Sequence, residues 1–249
     1  MKKFIVIAVA GLLSIMPIIV RAADSEPDVQ KLLVNSDRAR GGGNDGLIWE
    51  IAVRNSAELS SEPDMRMRLK ATDSASLAET LEPLKSKGAK MLQVDRNMWL
   101  SKPGLKKPIP ISARQRLTGL ASIGDVAATN YVKDYSPKYL RMETIEGEPC
   151  HVLELTARER QTTYDRIVYW ISISRGIGVQ AEFLSLAGKK LKTATFKYGN
   201  TVQVDGKPLP FISQMIIKDS LSSATTTLDY SQVRLQAIRR SEFDVSHLE

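Results

Sequence analysis

The chain has 249 residues, with 35 basic side chains against 28 acidic ones, one cysteine and two histidines. That length suits one large domain or two small ones, and a formal charge of +7 is too mild an excess to mark a nucleic-acid binder. A lone cysteine forms no internal disulfide, and one cysteine with two separated histidines cannot build a typical zinc site.

The first 22 residues read as a secretory signal. Met1, Lys2 and Lys3 give a positive start, and Phe4 to Val20 is an almost unbroken apolar run. Val20-Arg21-Ala22 offers a cleavage site after Ala22. The run is short for a bilayer span and contains Pro17, which argues against a retained anchor. Loss of Lys2, Lys3 and Arg21 takes the charge from +7 to +4. The expected mature protein is residues 23–249, a single soluble domain exported to the periplasm.

Glu26 to Ser36 carries Val29, Leu32 and Leu33 at helical spacing, with Ser25 as the expected N-cap. Arg38 to Gly46 is a polar, glycine-rich loop. Period-two alternation then takes over. Leu47, Trp49, Ile51 and Val53 share one face of a strand, and Met65, Met67, Leu69 and Ala71 share one face of the next. Leu77 to Leu81 and Lys90 to Val94 are further strands. Asn97 to Leu100 begins another, ended by Pro103 and Gly104. Ser122 to Tyr135 breaks the alternation, and a helix is expected over about Gly124 to Val132.

Strands resume at Tyr139 to Ile145, and Gly147-Glu148-Pro149 turns into Cys150 to Ala157. Arg166 to Ser174 is apolar on both faces, as in a strand covered on both sides. Val179 to Leu186 turns at Ala187-Gly188 into Leu191 to Tyr198. Asp205-Gly206 is a hairpin signal, and Phe211 to Lys218 and Thr225 to Leu235 complete the series. Many short strands with few helices between them predict a mainly β fold: an antiparallel sheet, curved or closed into a barrel-like form.

Catalytic patterns are absent. Cys150 and His151 are neighbours on a strand, so they point to opposite faces and form no dyad; Cys150 reads as a small buried hydrophobe. His247 is third from the end. Gly41 to Gly46 fits the letters G-x-G-x-x-G, but a helix precedes it and a strand follows, the reverse of a dinucleotide site. The acidic pairs Glu146/Glu148 and Glu242/Asp244 read as solvated charge. Two basic clusters, Lys102, Lys106, Lys107, Arg114 and Arg116, then Lys189, Lys190, Lys192 and Lys197, read as solvated faces or as a surface for an anionic partner. Methionines in or beside the strands suit a cavity that accepts varied apolar shapes.

Val94-Asp95-Arg96-Asn97-Met98-Trp99-Leu100, Lys102-Pro103, Ile111-Ser112 and Arg116-Leu117 resemble the outer-membrane lipoprotein-sorting proteins of the LolA-like group. So do Gly119, Gly124-Asp125 and Asn130-Tyr131, then Leu153-Glu154-Leu155 and Tyr169-Trp170-Ile171. Leu184-Ser185, Gly188 to Lys192, Asp205-Gly206-Lys207 with Pro210, and Phe243 with Leu248 extend the resemblance over nearly the whole mature chain. It implies a strongly curved antiparallel sheet, an incomplete barrel, with helices covering the concave face and enclosing an apolar cavity. The implied function is binding, not catalysis. A periplasmic protein would shelter a lipid or lipoprotein acyl chain for transport toward the outer membrane, handing it to a membrane transport protein. The alternative is a lipid-responsive sensor bound to a membrane-protein partner. No cofactor, metal or nucleic acid is called for. The expected cavity lining is Leu47, Trp49, Ile51, Val53, Met65, Met67 and Leu69, with Trp99, Ile171 and Phe183 added from later strands.

Overall fold

The structure is a computed structural model, and it describes residues 26–44, 46–127, 130–204 and 206–248. The expected signal segment, residues 1–22 with its cleavage point, lies outside the described residues, as do Ser25 and Asp205.

The first element of the described residues is helix α1, Val29–Arg38. Its cap is Asp28, whose carboxylate accepts from the backbone N–H of Gln30 and Lys31, both at 3.1 Å. An antiparallel meander follows: β1 (Leu47–Asn55), β2 (Met65–Ala71), β3 (Ala75–Glu82), β4 (Lys90–Val94), β5 (Asn97–Ser101) and the short edge strand β6 (Ile109–Ile111). A small ribbon of β7 (Arg116–Thr118) and β8 (Ala121–Ser122) leads into α2 (Ile123–Ala127) and α3 (Tyr131–Asp134). The single helix expected over Gly124 to Val132 is therefore two short pieces. Each has its own capping signal: Asp125 accepts from Ser122 N at 2.8 Å, and Asn130 accepts from Lys133 N at 3.3 Å.

The second half holds β9 (Tyr135–Ile145), β10 (Glu148–Ala157), β11 (Arg166–Ser172), β12 (Gly178–Leu184) and β13 (Lys190–Lys197). A separate hairpin of β14 (Asn200–Val204) and β15 (Lys207–Phe211) interrupts the sheet. Then β16 (Gln214–Asp219) and β17 (Thr225–Leu235) return to it. The one strand expected from Phe211 to Lys218 is broken at Ile212-Ser213. There Ile212 N–H donates to Ala39 O at 2.8 Å, so the backbone leaves the sheet to meet the end of α1.

Among the described residues thirteen strands form one sheet in the order β6-β5-β4-β3-β2-β1-β17-β16-β13-β12-β11-β10-β9. Laid flat, twelve strand spacings would spread over about 58 Å. Yet one hydrophobic cluster joins Met98 of β5 to Leu153 of β10 through nearly every strand between them. The sheet is strongly curved and remains an open barrel, with β6 and β9 as its edges. Register fixes the two faces. Trp49 stands opposite Leu69, Leu69 opposite Ala78, Ala78 opposite Met91 and Met91 opposite Leu100, which makes one inward row. Leu33 of α1, Ile123 and Val126 of α2 and Tyr131 of α3 belong to the same cluster, so the helices cover the concave face.

The convex face is partly covered as well. The C-terminal segment packs Phe243 and Leu248 on Leu92, beside Leu77 and Trp99, and Glu242 meets Lys70 at 2.5 Å. Farther along the sheet Cys150, Val152 and Trp170 form a third small cluster. Among the described residues no helix is long and apolar enough to cross a membrane.

Candidate functional site

The helices over the concave face are held by polar ties as well as by their apolar packing. In α1, Ser36 Oγ lies 2.6 Å from Tyr169 Oη of β11 and accepts from Gly178 N at 3.0 Å. Only glycine fits at Gly178, because an added Cβ would stand 1.8 Å from that phenol oxygen. The next residue, Asp37, accepts from Val132 N at 2.8 Å and so joins α1 to α3. Burial pushes the Asp37 carboxyl up to about 7, against the opposing pull of Arg40 and of the Val132 and Tyr131 backbone N–H groups. Arg40 lies under this roof with 4% exposure. Its guanidinium carbon is 4.2 Å from the Tyr131 ring centroid and 5.0 Å from that of Phe196. The Asp37–Arg40 separation is 3.9 Å.

A second tie holds α2. Lys192 of β13 places its ammonium 3.0 Å from Asp125 Oδ2 and donates to Leu120 O at 2.6 Å. Tyr164 Oη donates to Asp125 Oδ1 at 2.7 Å, and Ser122 N donates to Oδ2 at 2.8 Å. Burial pushes the Tyr164 phenol well up, and the Asp125 charge adds to that. Lys192 therefore departs from the solvated cluster in which the sequence places it: its side chain is 9% exposed and ion-paired.

Between these ties the concave face is apolar and filled. Leu47, Ile51, Val53, Met67, Leu69, Ile171 and Phe183 have no exposed surface, Trp49 has 2%, and all belong to the main cluster. Met65 is half-buried against it. The structure thus brings nine of the ten expected residues together. It places Trp99 on the opposite, convex face with Leu92 and Phe243, because Trp99 stands opposite Leu92 one step out of the inward row. Under the helices little space is left: the void among Arg40, Tyr131, Phe196 and Tyr230 is about 10 Å³.

A cavity of about 520 Å³ lies at one end of the sheet. Its wall is built from the Gly41–Gly43 loop after α1, the β2–β3 turn at 72–76, the β4–β5 turn at 95–97, and residues of α2 and α3. Trp49 is the member of the expected set that reaches it. The glycine loop is fitted to the indole: Gly41 has φ +102°, and a Cβ there would stand 2.9 Å from Trp49 Cη2. The Trp49 indole N–H is buried without a partner among the described residues. Around the rim, Arg96 pairs with Glu159 at 3.1 Å and Asp134 at 3.9 Å, and Lys133 Nζ donates to Asp73 O. Apart from Trp49, the sequence reading missed this lining. The signal was there in the meander itself, since antiparallel alternation sends both turns and the glycine loop to the same end.

The architecture is thus a curved open sheet with a helical cover and a cavity at their seam. A family model described as "Uncharacterized protein" matches residues 72–249. Comparison with curated proteins gave no match. Among solved structures, a LolA superfamily protein from Nitrosomonas europaea is 32% identical. That alignment covers 86% of this chain and 96% of the other, with a TM-score of 0.77. A DUF1329 family protein from Desulfovibrio piger is 19% identical over 88% of this chain and 97% of its own, with a TM-score of 0.72. A domain named for outer membrane lipoprotein sorting, from Vibrio parahaemolyticus, is 21% identical over 88% and 97%, with a TM-score of 0.71. The last two share the fold. The chain belongs to the LolA superfamily.

Proposed function

We propose that this protein shelters an acyl chain of a lipid or lipoprotein on the concave face of its sheet, in the periplasm, after export and cleavage behind Ala22. In this reading residues 23–249 form one carrier domain. It takes its cargo toward the outer membrane and passes it to a membrane transport protein. The observation that carries the reading is the seam: an apolar face roofed by short helices held through a few polar contacts, with a 520 Å³ cavity opening beside Trp49. Pockets for small ligands run from about 300 to 1,000 Å³, so the cavity can admit the first part of a chain.

Further entry requires the roof to lift, since the void beneath it is only about 10 Å³. Each CH₂ then transferred from water contributes about 0.8 kcal/mol toward offsetting the polar and apolar contacts of the roof that are broken. The proposed lining is Leu47, Trp49, Ile51, Val53, Met65, Met67, Leu69, Ile171 and Phe183. No catalytic group is needed for such a role. The Vibrio parahaemolyticus domain of the same fold is named for outer membrane lipoprotein sorting, which supports the same ligand class.

The experiment is mass spectrometry of what copurifies with the mature protein from its native compartment. An acylated molecule at near-stoichiometric amount supports the proposal. Protein free of acylated molecules that also fails to take up a fatty acid in solution contradicts it.

A further inference from the structure

We propose that the end of the sheet opposite the cavity is a docking surface for an anionic phospholipid membrane. Alternation along the meander puts the β3–β4 turn (residues 83–89) and the β5–β6 loop (residues 102–108) at that end. The two are neighbours: a Cβ built on Gly88 would lie 3.9 Å from Pro103 Cγ. Together they carry Lys85, Lys87, Lys102, Lys106 and Lys107, all exposed. None of these five ammonium groups has an ion pair or hydrogen bond among the described residues. Glu82, the acid at the start of the first turn, is taken by Arg66 at 2.9 Å. Elsewhere on the protein basic side chains are widely paired, as in Arg54–Asp229, Arg114–Asp165, Arg175–Glu148 and Lys190–Glu182. Five unpaired lysines in two adjacent loops are a concentrated, uncompensated field.

The same tip carries Leu84 with 84% of its surface exposed, the most exposed large apolar side chain described. A leucine standing clear of the fold amid lysines matches the interface of an anionic bilayer. The ammonium groups meet headgroup phosphates, and the leucine enters the boundary of the acyl region. β4 and β5 are five residues long, so the tip stands about 17 Å from the turns that line the cavity. Docked by the tip, the protein points its cavity away from the bilayer.

The test is cosedimentation of the full mature protein with vesicles of phosphatidylcholine alone, or mixed with phosphatidylglycerol. Cargo uptake by the concave face would not separate the two compositions, so this result is independent of the function proposed above. Binding should require phosphatidylglycerol and weaken as salt rises. Each lysine near an anionic surface contributes about five-fold in partitioning. The triple variant Lys102→Gln/Lys106→Gln/Lys107→Gln should therefore lose about 100-fold, and the corresponding Lys→Glu triple should lose more. Leu84→Ser should lose about ten-fold. Lys138→Gln/Lys189→Gln/Lys197→Gln makes the same change in net charge on the other half of the sheet and should bind within about three-fold of the parent. The proposal is overturned if the parent protein binds both vesicle types equally or not at all. It is also overturned if the second triple loses as much as the first.

Discussion

Replacing Asp125 with asparagine should loosen α2 and destabilise the whole fold. The change is nearly isosteric, yet it removes the only carboxylate that contacts the Lys192 ammonium among the described residues, 3.0 Å away from a side chain 9% exposed. Leu120 O still accepts at 2.6 Å, but a carbonyl does not neutralise a charge. Leaving one member of a buried pair uncompensated costs about 3–5 kcal/mol. For a chain of this size each kcal/mol moves the melting temperature by about 2–4 °C, so a drop of about 6–20 °C is expected. Removing both charges, in Asp125→Leu/Lys192→Met, should recover most of that loss, because a buried pair and a well-packed apolar replacement are close in free energy. The assay is thermal unfolding by circular dichroism, with hydrogen exchange read over residues 120–127. Asp125→Asn should speed exchange there before it speeds exchange in β11. A drop of under about 2 °C, or a double variant whose loss is the sum of the single losses, would refute the claim that this pair holds the roof.

Three more outcomes are expected. Asp37 is pushed from 3.8 to about 7, so between those values the folded protein holds a proton that the unfolded chain releases; stability from this group is greatest at low pH and falls by up to about 4 kcal/mol as pH rises through 7. Asp37→Asn should remove that slope, and unchanged pH dependence of the difference in melting temperature would count against it. Met67→Glu puts a carboxylate on the fully buried concave face and should cost several kcal/mol and abolish acyl binding, whereas Met67→Leu should stay within about 1.5 kcal/mol. Arg68→Glu, on the convex side where Arg68 pairs with Glu50 at 2.8 Å, should cost about 1 kcal/mol and leave acyl binding intact; denaturant titration and fatty-acid uptake check all three. Gly178→Ala drives a methyl into Tyr169 and breaks the Ser36 tie, so it should cost about 1–3 kcal/mol and raise exchange in α1.

Strands with one wet face were legible because their side chains alternate: β1 and β2 match the pattern read from Leu47 and Met65 onward. Trp99 was not, because β4 and β5 are covered on both sides. Leu92 and Trp99 are apolar for the C-terminal segment, while Met91 and Met98 are apolar for the core, and alternation cannot rank the two faces. The covering segment was itself hidden, since Ile238, Phe243, Val245 and Leu248 are spread through polar sequence without period. The polar ties were hidden for another reason. Asp37, Arg40 and Lys192 are the residue types that usually meet water, and only long-range packing against Tyr131, Phe196 and Asp125 shows that here they do not. The helix over Gly124 to Val132 was right in place and wrong in continuity, because Asp125 and Asn130 act as caps inside it.

The most direct test of an acyl chain on the concave face uses Trp49 as the reporter. In a Trp99→Phe/Trp170→Phe background Trp49 is the one remaining indole, at the join of cavity and core. A fatty acid brominated along its chain quenches tryptophan only at close contact. Titration should quench Trp49 strongly and saturably, while a Trp49→Phe/Trp170→Phe protein, reporting from Trp99 on the convex face, should stay bright. Quenching of Trp99 with Trp49 untouched would contradict the account.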